Sequence, residues 1–178
     1  LRASTAPAGD RQQAAGGLSA ASWPLPSTCS VVVTDDERGI AQALAHELRQ
    51  RGHSVTVLRA ASDTQELSHE LYTTNFADPA AVATTVDAIR RNQGPIGGVI
   101  HLSPLRGEEP ASGRMDVAAW RRRLADDVKG LYHLARAAGP DLLAWDGRAS
   151  PQERKGLLLA VTGMGGAFGL STDVAPAG

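Results

Sequence analysis

The stretch VVVTDDERGIA, residues 31–41, decides the fold of this chain. Its three valines are a β-branched run of the kind that forms a short buried strand. A tight acidic turn follows, and a helical pattern begins at Gly39, with Ile40, Leu44 and Leu48 spaced four residues apart on one face. The stretch predicts a strand, a turn and a helix. It also raises a question, because two aspartates and a glutamate fill a turn that commonly holds glycines.

Strands and helices alternate along the rest of the chain. Further strands are predicted at residues 54–58, 70–76, 97–102 and 155–163, and the polar stretch before the third strand is predicted to be a loop. Further helices are predicted at 78–94 and about 115–138. Strands separated by helices of this length form right-handed crossovers between parallel neighbours. The predicted fold is α/β, a Rossmann-like doubly wound parallel sheet of about five strands in the order 3-2-1-4-5.

The two later helices carry their own signals. Asp78 is predicted to be the N-cap of the helix that starts with Pro79, a residue that suits the first helical position. Its buried stripe is predicted to be Val82, Val86 and Ile89. One face of the longer helix carries a second apolar set, Trp120, Leu124, Val128, Leu131 and Ala135.

Composition excludes several classes of function. The 178 residues carry a formal net charge of -1, with acids and bases interleaved, so no nucleic-acid or membrane partner is indicated. The densest basic run, residues 121–123, is followed by Asp126 and Asp127 and is predicted to be a solvated helix face. Cys29 is the only cysteine, so no internal disulfide can form, no metal site is indicated, and a reducing, cytoplasmic setting is expected.

The chain divides into two parts by composition. Residues 1–27 are rich in Ala, Gly, Ser, Pro and Gln and are predicted to be a flexible linker. Residues 28–178 carry the regular pattern and are predicted to form one subdomain. No apolar run approaches the ~20 residues of a membrane span, and the N-terminus has no apolar core typical of a signal peptide.

Three stretches together resemble the ketoreductase region of polyketide synthases, within the short-chain dehydrogenase/reductase superfamily. These are GPIGGVIHLSPL at the fourth strand, LADDVKGLYHLARAAGPDLL along the long helix and LLLAVTGMGGAFG at the fifth strand. The resemblance covers roughly residues 28–170. It is closest to the non-catalytic half of the ketoreductase in iterative synthases of the polyunsaturated fatty acid type.

The turn after the first strand departs from the family's TGxxxGxG pattern, whose glycines admit the cofactor pyrophosphate. Thr34 and Gly39 match, but Asp35 stands at the first glycine and Ala41 at the last. The repulsion between a carboxylate and a phosphate oxygen about 4 Å apart costs on the order of 4 kcal/mol. The N-terminus of a helix stabilises a bound anion by only ~0.3–1 kcal/mol. Asp35 or Asp36 is therefore predicted to cap the helix, and no cofactor-binding residue is predicted in this chain.

The family's catalytic pair is also missing. Its general acid is a Tyr followed four residues later by a Lys, whose ammonium lowers the pKa of the phenol. Here Tyr72 is followed at that spacing by Phe76, and Tyr132 by Arg136. In addition, Tyr132 falls on the long helix, whereas the family's pair lies on the helix after the fifth strand.

Two further family positions depart as well. The resemblance places Asp127 at the position of a functional Lys, and Lys129 at the place of the neighbouring acid. Thr162 is the only hydroxyl near the position of the substrate-binding Ser. His101, after the fourth strand, is predicted to be a structural histidine. The turn GMGGAFG, residues 163–169, is predicted to be the tight exit of an edge strand, although its N–H groups offer a possible anion nest. No catalytic residue is predicted.

A complete fold of this superfamily continues past strand five, where this sequence stops, so the expected fold is truncated after strand five. The resemblance implies a non-catalytic structural subdomain supporting the NADPH-dependent β-ketoacyl reductase of a multidomain polyketide or fatty acid synthase. NADPH is then the cofactor of the catalytic partner, and this chain has none. Its expected partners are the catalytic ketoreductase, neighbouring domains and, indirectly, the acyl carrier domain. The alternative is a divergent reductase fragment that binds NADPH through Thr34, Gly39 and Arg59.

Overall fold

A central β-sheet organises the part of the chain that the structure describes. The structure is a computed structural model, and it describes residues 29–106, 116–143 and 156–163. The predicted linker at 1–27 and the turn at 164–169 lie outside these described residues. The strands are β1 (Ser30–Thr34), β2 (Ser54–Ala60), β3 (Gln65–Ser68), β4 (Leu71–Thr74), β5 (Ile96–His101) and β6 (Leu157–Ala160).

The helices lie between these strands in the sequence. They are α1 (Ile40–Gln50), α2 (Pro79–Gln93), α3 (Val117–Leu124) and α4 (Gly130–Leu143), with a π-helical turn (Ala125–Lys129) joining the last two and a short 3₁₀ turn (Ser103–Leu105) after β5. Asp78 caps α2 as predicted, since its Oδ1 accepts the Ala80 N–H at 2.8 Å.

The sheet has the order β3-β4-β2-β1-β5-β6. β1 lies parallel to β2, with Val31 opposite Val55, and parallel to β5, with Val31 opposite Gly98. β4 and β6 also pair in parallel, with β2 and β5 respectively. The predicted doubly wound sheet is therefore confirmed, and its five strands keep the predicted order.

One strand was not predicted from the sequence. β3 pairs antiparallel with β4 and extends the sheet at one margin, where a loop was expected. All four of its side chains are exposed, so it has no apolar pattern that a sequence could show. Its position is fixed by the backbone of β4, which is a contact between segments rather than a property of the β3 sequence.

Alternate residues of β1 point to opposite faces of the sheet, and both faces are covered by helices. Val31 and Val33 belong to a buried cluster with α1, whereas Val32 belongs to a second cluster with α2 and α4. The predicted stripe of α2, Val82, Val86 and Ile89, is fully buried in the second cluster, so that prediction is confirmed.

The buried face of α1 differs from the predicted one. Ala41, Ala45 and Leu48 are buried, whereas Ile40 is 47% exposed. Small side chains at positions 41 and 45 let the helix approach the valines of β1 and β2 closely, and this rotates Ile40 outward.

The long helix also buries a different face. Its buried residues are Gly130, Leu134 and Ala138, while Trp120 and Val128 are 54% and 58% exposed. The π-helical turn adds a residue to one turn, which rotates the helix face on either side by roughly 100°. The predicted apolar set is therefore divided: Leu124, Leu131 and Ala135 are partly buried, whereas Trp120 and Val128 are exposed.

In the described ranges, none of the helices combines the length and the apolarity that crossing a lipid bilayer requires.

Candidate functional site

In the acidic turn after β1, the side chain of Asp36 folds back onto the N-terminus of α1. This carboxylate is fully buried, and it accepts the N–H of Ala41 at 2.7 Å and the N–H of Ile40 at 3.3 Å. Gly39, between them, adopts a left-handed backbone with φ of 93°, which favours glycine. The prediction that an aspartate caps α1 is confirmed, and Asp36 occupies the donors that an anion at a helix N-terminus would use.

Asp35 lies beside it and binds three other groups. Arg59 Nε donates to Asp35 Oδ2 at 2.8 Å, while the Glu37 N–H and Gln42 Nε2 each donate to Oδ1 at 3.0 Å. Burial alone would raise the pKa of Asp35, but the hydrogen bond from Arg59, supported by the Glu37 and Gln42 donors, outweighs it. The pKa therefore lies below 3.8, and the group is a carboxylate at neutral pH.

The alternative of an NADPH-binding fragment needs Arg59 free to bind the cofactor's 2′-phosphate, and Arg59 is not free. Its side chain is 42% exposed and its Nε is bound to Asp35 across the ends of β1 and β2. The positive charge offered for a 2′-phosphate is already paired with a buried carboxylate. A phosphate approaching this turn meets Asp35, and it must displace the Asp36 carboxylate before it reaches the α1 N–H groups.

A second polar cluster joins β1 to the end of β5. Thr34 Oγ1 accepts the N–H groups of Leu102 at 2.8 Å and Ser103 at 3.0 Å, and it lies 3.2 Å from His101 Nδ1. With both lone pairs engaged, the hydroxyl donates its proton to Nδ1, so Nε2 carries the imidazole proton. His101 Nε2 then donates to the carbonyl oxygen of Asp127 at 2.7 Å.

This arrangement holds His101 neutral. Burial lowers its pKa below 6.5, although the carbonyl and the charge of Asp127 favour the protonated ring. If Nδ1 were protonated, it could no longer accept the hydrogen bond of the Thr34 hydroxyl, and two donors would face each other. His101 therefore ties β1 and β5 to the π-helical turn, in agreement with its prediction as a structural histidine.

Asp127, at the family's lysine position, belongs to an ionic network that was not predicted from the sequence. Its Oδ1 lies 2.9 Å from Arg106 Nη2 and its Oδ2 3.2 Å from Arg123 Nε. Arg106 Nη2 also lies 3.3 Å from Asp126 Oδ2. The prediction of a solvated face is thus wrong for Arg123, Asp126 and Asp127. The spacing of four residues between Arg123 and Asp127 was the signal that could have found this pair.

The two tyrosines and Thr162 do not converge on this network. Tyr72 is buried on β4, separated from β5 by β2 and β1, and its hydroxyl accepts from Asn92 Nδ2 at 2.8 Å. Burial raises the pKa of Tyr72 above 10.0. Tyr132 is 62% exposed on α4, and Thr162 is exposed beyond β6. Within the described ranges, no group of three or more His, Cys, Asp and Glu side chains is positioned to hold a metal ion.

Comparison with protein families assigns the chain. A family model described as enoyl-(acyl carrier protein) reductase matches residues 35–150, which is well over half of the sequence. The chain therefore belongs to this family and has the fold of the short-chain dehydrogenase/reductase superfamily. Among curated proteins, none matches the sequence significantly.

Solved structures agree on the fold. The ligand-free aldohexose dehydrogenase of Thermoplasma acidophilum has 18% identity and a TM-score of 0.58, over 84% of this chain and 54% of that one. A short-chain type dehydrogenase/reductase from Mycobacterium ulcerans has 25% identity and a TM-score of 0.50, over 64% of this chain and 46% of that one. This chain thus spans about half of each of these relatives.

A multidomain structure is also similar. It contains the adenylation, ketoreductase and pseudo-Asub domains of a keto acid-selecting NRPS module, with 16% identity and a TM-score of 0.51. The match covers 61% of this chain and 9% of that one. At this identity the likeness concerns the fold alone.

Proposed function

We propose that this chain is a non-catalytic structural subdomain that supports the NADPH-dependent β-ketoacyl reductase of a multidomain polyketide or fatty acid synthase. The observation that carries the proposal is the position of Asp36. Its carboxylate holds the N–H groups of Ile40 and Ala41, which are the donors that a relative would offer to the cofactor pyrophosphate. The fold is kept while the binding turn is filled by a side chain of the protein itself.

The neighbouring residues support the same proposal. Asp35 adds a buried negative charge and neutralises Arg59, and the sequence lacks a Tyr with a Lys four residues on. Asp127, where the family has a functional Lys, is bound to two arginines. Each of these changes removes a different part of the reductase mechanism, and together they favour a role in packing over a role in chemistry.

An apolar strand supports the idea of a partner. β6 lies at one end of the sheet formed by the described strands, with Leu158 50% and Leu159 43% exposed. Exposed leucines on a terminal strand favour contact with another protein element. The ketoreductase in the similar NRPS module is one domain of a multidomain assembly, and this chain is proposed to work in such a setting.

The decisive experiment compares cofactor binding with support of a partner. The full chain is titrated with NADPH by calorimetry, and the catalytic ketoreductase of the same synthase is melted with and without the chain. The expected result is no heat of binding at millimolar NADPH and a higher unfolding midpoint of the ketoreductase when the chain is present. A Leu158→Lys variant should lose the stabilising effect, whereas Ile40→Lys, on an exposed site of α1, should keep it.

The rival function is a divergent reductase fragment that binds NADPH. The observation that favours it is Gly39, which matches a glycine of the family's turn pattern and has a left-handed backbone with φ of 93°. Saturable micromolar binding of NADPH, lost in Arg59→Gln, would establish the rival and overturn the structural proposal. An unchanged melting midpoint of the ketoreductase would also count against the structural role.

A further inference from the structure

A cavity of about 230 Å³ lies between the turn after β5 and the first turns of the long helix. It adjoins the acidic turn after β1 through Arg106, whose Nη1 lies 3.8 Å from Glu37 Oε1. The described residues that line it are Arg106, Ala119, Arg122, Arg123, Asp126 and Asp127, the last at the family's lysine position. Five of these six residues are charged, and the cavity is partly open to solvent beside the exposed Arg122.

Among the described residues, the charges around the cavity balance. Three arginines and two aspartates line it, and Glu37 adds a third carboxylate, whose Oε1 lies 3.8 Å from Arg106 Nη1. All three carboxylates are engaged by Arg106, with Asp127 also bound to Arg123. The donors that remain unused therefore belong to Arg122 and Arg123.

Arg123 keeps one donor unused. Its Nε lies 3.2 Å from Asp127 Oδ2 and its Nη2 donates to the Pro104 carbonyl at 3.4 Å. Its Nη1 is buried and has no hydrogen-bond partner. A buried donor left unpaired costs about 1–3 kcal/mol, and more on a charged group, so its persistence calls for an explanation.

Arg122 provides a second free cation beside it. This residue is exposed, and within the described residues its side chain makes no hydrogen bond or ion pair. Two guanidinium groups therefore border one small cavity, one with an unpaired buried N–H and the other entirely unpaired. Planar guanidinium donors match the geometry of an oxyanion with two coplanar oxygens.

We propose that this cavity binds a small monocarboxylate between Arg122 and Arg123. A single carboxylate suits the unused donors of the two guanidinium groups, whereas a dianion such as phosphate would be repelled more strongly by Asp126 and Asp127. The cavity is smaller than the ~300–1,000 Å³ of sites for drug-sized ligands, so the molecule is short. This ligand site is separate from the proposed structural role, because neither arginine belongs to the turn that replaces the cofactor.

The test titrates the full chain with sodium acetate and sodium propionate at constant ionic strength, while NMR follows the Arg Nε–H signals and the Ala119 amide. Saturable shifts at Arg122, Arg123 and Ala119 are expected for both carboxylates. Sodium chloride and inorganic phosphate serve as comparison anions, and neither should saturate these signals. Loss of one charge-assisted hydrogen bond in Arg122→Gln should weaken binding roughly tenfold.

The control is Arg121→Gln, which removes the same charge from an exposed neighbour that does not line the cavity. It should bind acetate as the unmodified chain does. Arg123→Gln tests the buried donor directly, and if it fails to fold, Arg122→Gln decides, since the structure gives Arg122 no contact to lose. Absence of saturable shifts, equal weakening in both exposed-arginine variants, or tighter binding of phosphate would each overturn the proposal. None of these outcomes depends on NADPH or on a ketoreductase, so the two proposals fail separately.

Discussion

Arg59 Nε donates to Asp35 Oδ2 at 2.8 Å, and this ion pair joins the ends of β1 and β2. The Asp35 side chain is completely buried, whereas Arg59 is 42% exposed. The pair is therefore asymmetric: the carboxylate depends on the guanidinium, while the guanidinium can reach water. This asymmetry makes the pair a sensitive place to test the acidic turn.

Replacing Arg59 with Gln should destabilise the chain by about 1–2 kcal/mol at pH 7, because a buried carboxylate loses its cation but keeps two other donors, and solvent screens the exposed partner. Since the folded pKa of Asp35 lies below 3.8, the stabilisation is present above this value and is lost as the pH falls through the folded pKa. The difference between the two proteins in urea unfolding should therefore shrink between pH 5 and pH 3. Arg51→Gln, which breaks an exposed pair with Glu47, is the control and should cost about 0.5 kcal/mol or less. An Arg59 effect no larger than that of Arg51 would contradict the account.

Replacing Asp36 with Ala should cost about 2–3 kcal/mol, because the N–H groups of Ile40 and Ala41 lose their acceptor in a buried setting. The matched control is Asp78→Ala at the exposed cap of α2, where water can take over and a cost of about 1 kcal/mol is expected. Chemical denaturation of both variants gives the comparison. Equal losses of unfolding free energy in the two variants would show that burial of the acidic turn does not strengthen the Asp36 cap.

Replacing Gly130 with Ala should destabilise the chain by about 1 kcal/mol. The added Cβ would lie 3.0 Å from Phe76 Cβ, and Phe76 is buried and has little room to move. Overpacking of about 1–3 kcal/mol then exceeds the gain of up to ~1 kcal/mol in helix propensity. At Gly139 in the same helix an added Cβ meets nothing within 4 Å beyond its chain neighbours, and because Pro140 follows, Gly139→Ala should stabilise by only a few tenths of a kcal/mol, roughly. Thermal melting that moves both variants in the same direction would refute the close contact of α4 with Phe76.

Lowering the pH should destabilise the chain through His101. Its folded pKa lies below 6.5, so the unfolded chain binds the proton more readily, and stability is lost as the pH falls from 6.5 through the folded pKa. The slope of unfolding free energy against pH between 7 and 5 should be smaller in His101→Gln than in the unmodified chain. Ala43→Gln, at an exposed site on α1 without a titratable group, is the control and should leave the slope unchanged. A slope that survives in His101→Gln would place the titrating group elsewhere.

The parts of the fold that were predictable are those with local signals. The valine run of β1, the cap at Asp78 and the stripe of α2 are each written in neighbouring residues. β3 was missed because its four exposed residues, Gln65–Ser68, are held in a strand by pairing with β4. A helical period in the sequence also leaves open which side faces the core. Trp120 is an example, because the π-helical turn that follows it rotates its side of the helix away from the buried side of α4.

The candidate site follows the same division. Capping by Asp36 acts over five residues and was predictable from the turn itself. The pairing of Asp35 with Arg59 spans 24 residues and depends on the alignment of β1 with β2, which only the folded sheet provides. The bond from His101 to the Asp127 carbonyl likewise requires the π-helical turn to lie against β5.

The two edge strands of the described sheet differ: β3 pairs antiparallel with its neighbour, whereas β6 pairs in parallel. At the β3 margin, an antiparallel strand of four exposed residues, Leu67 among them, ends the parallel pattern. At the β6 margin, the last described strand is parallel to its neighbour, and its leucines are exposed. A partner that continued the sheet would therefore be directed to one side only, beside Leu157–Ala160 and away from β3.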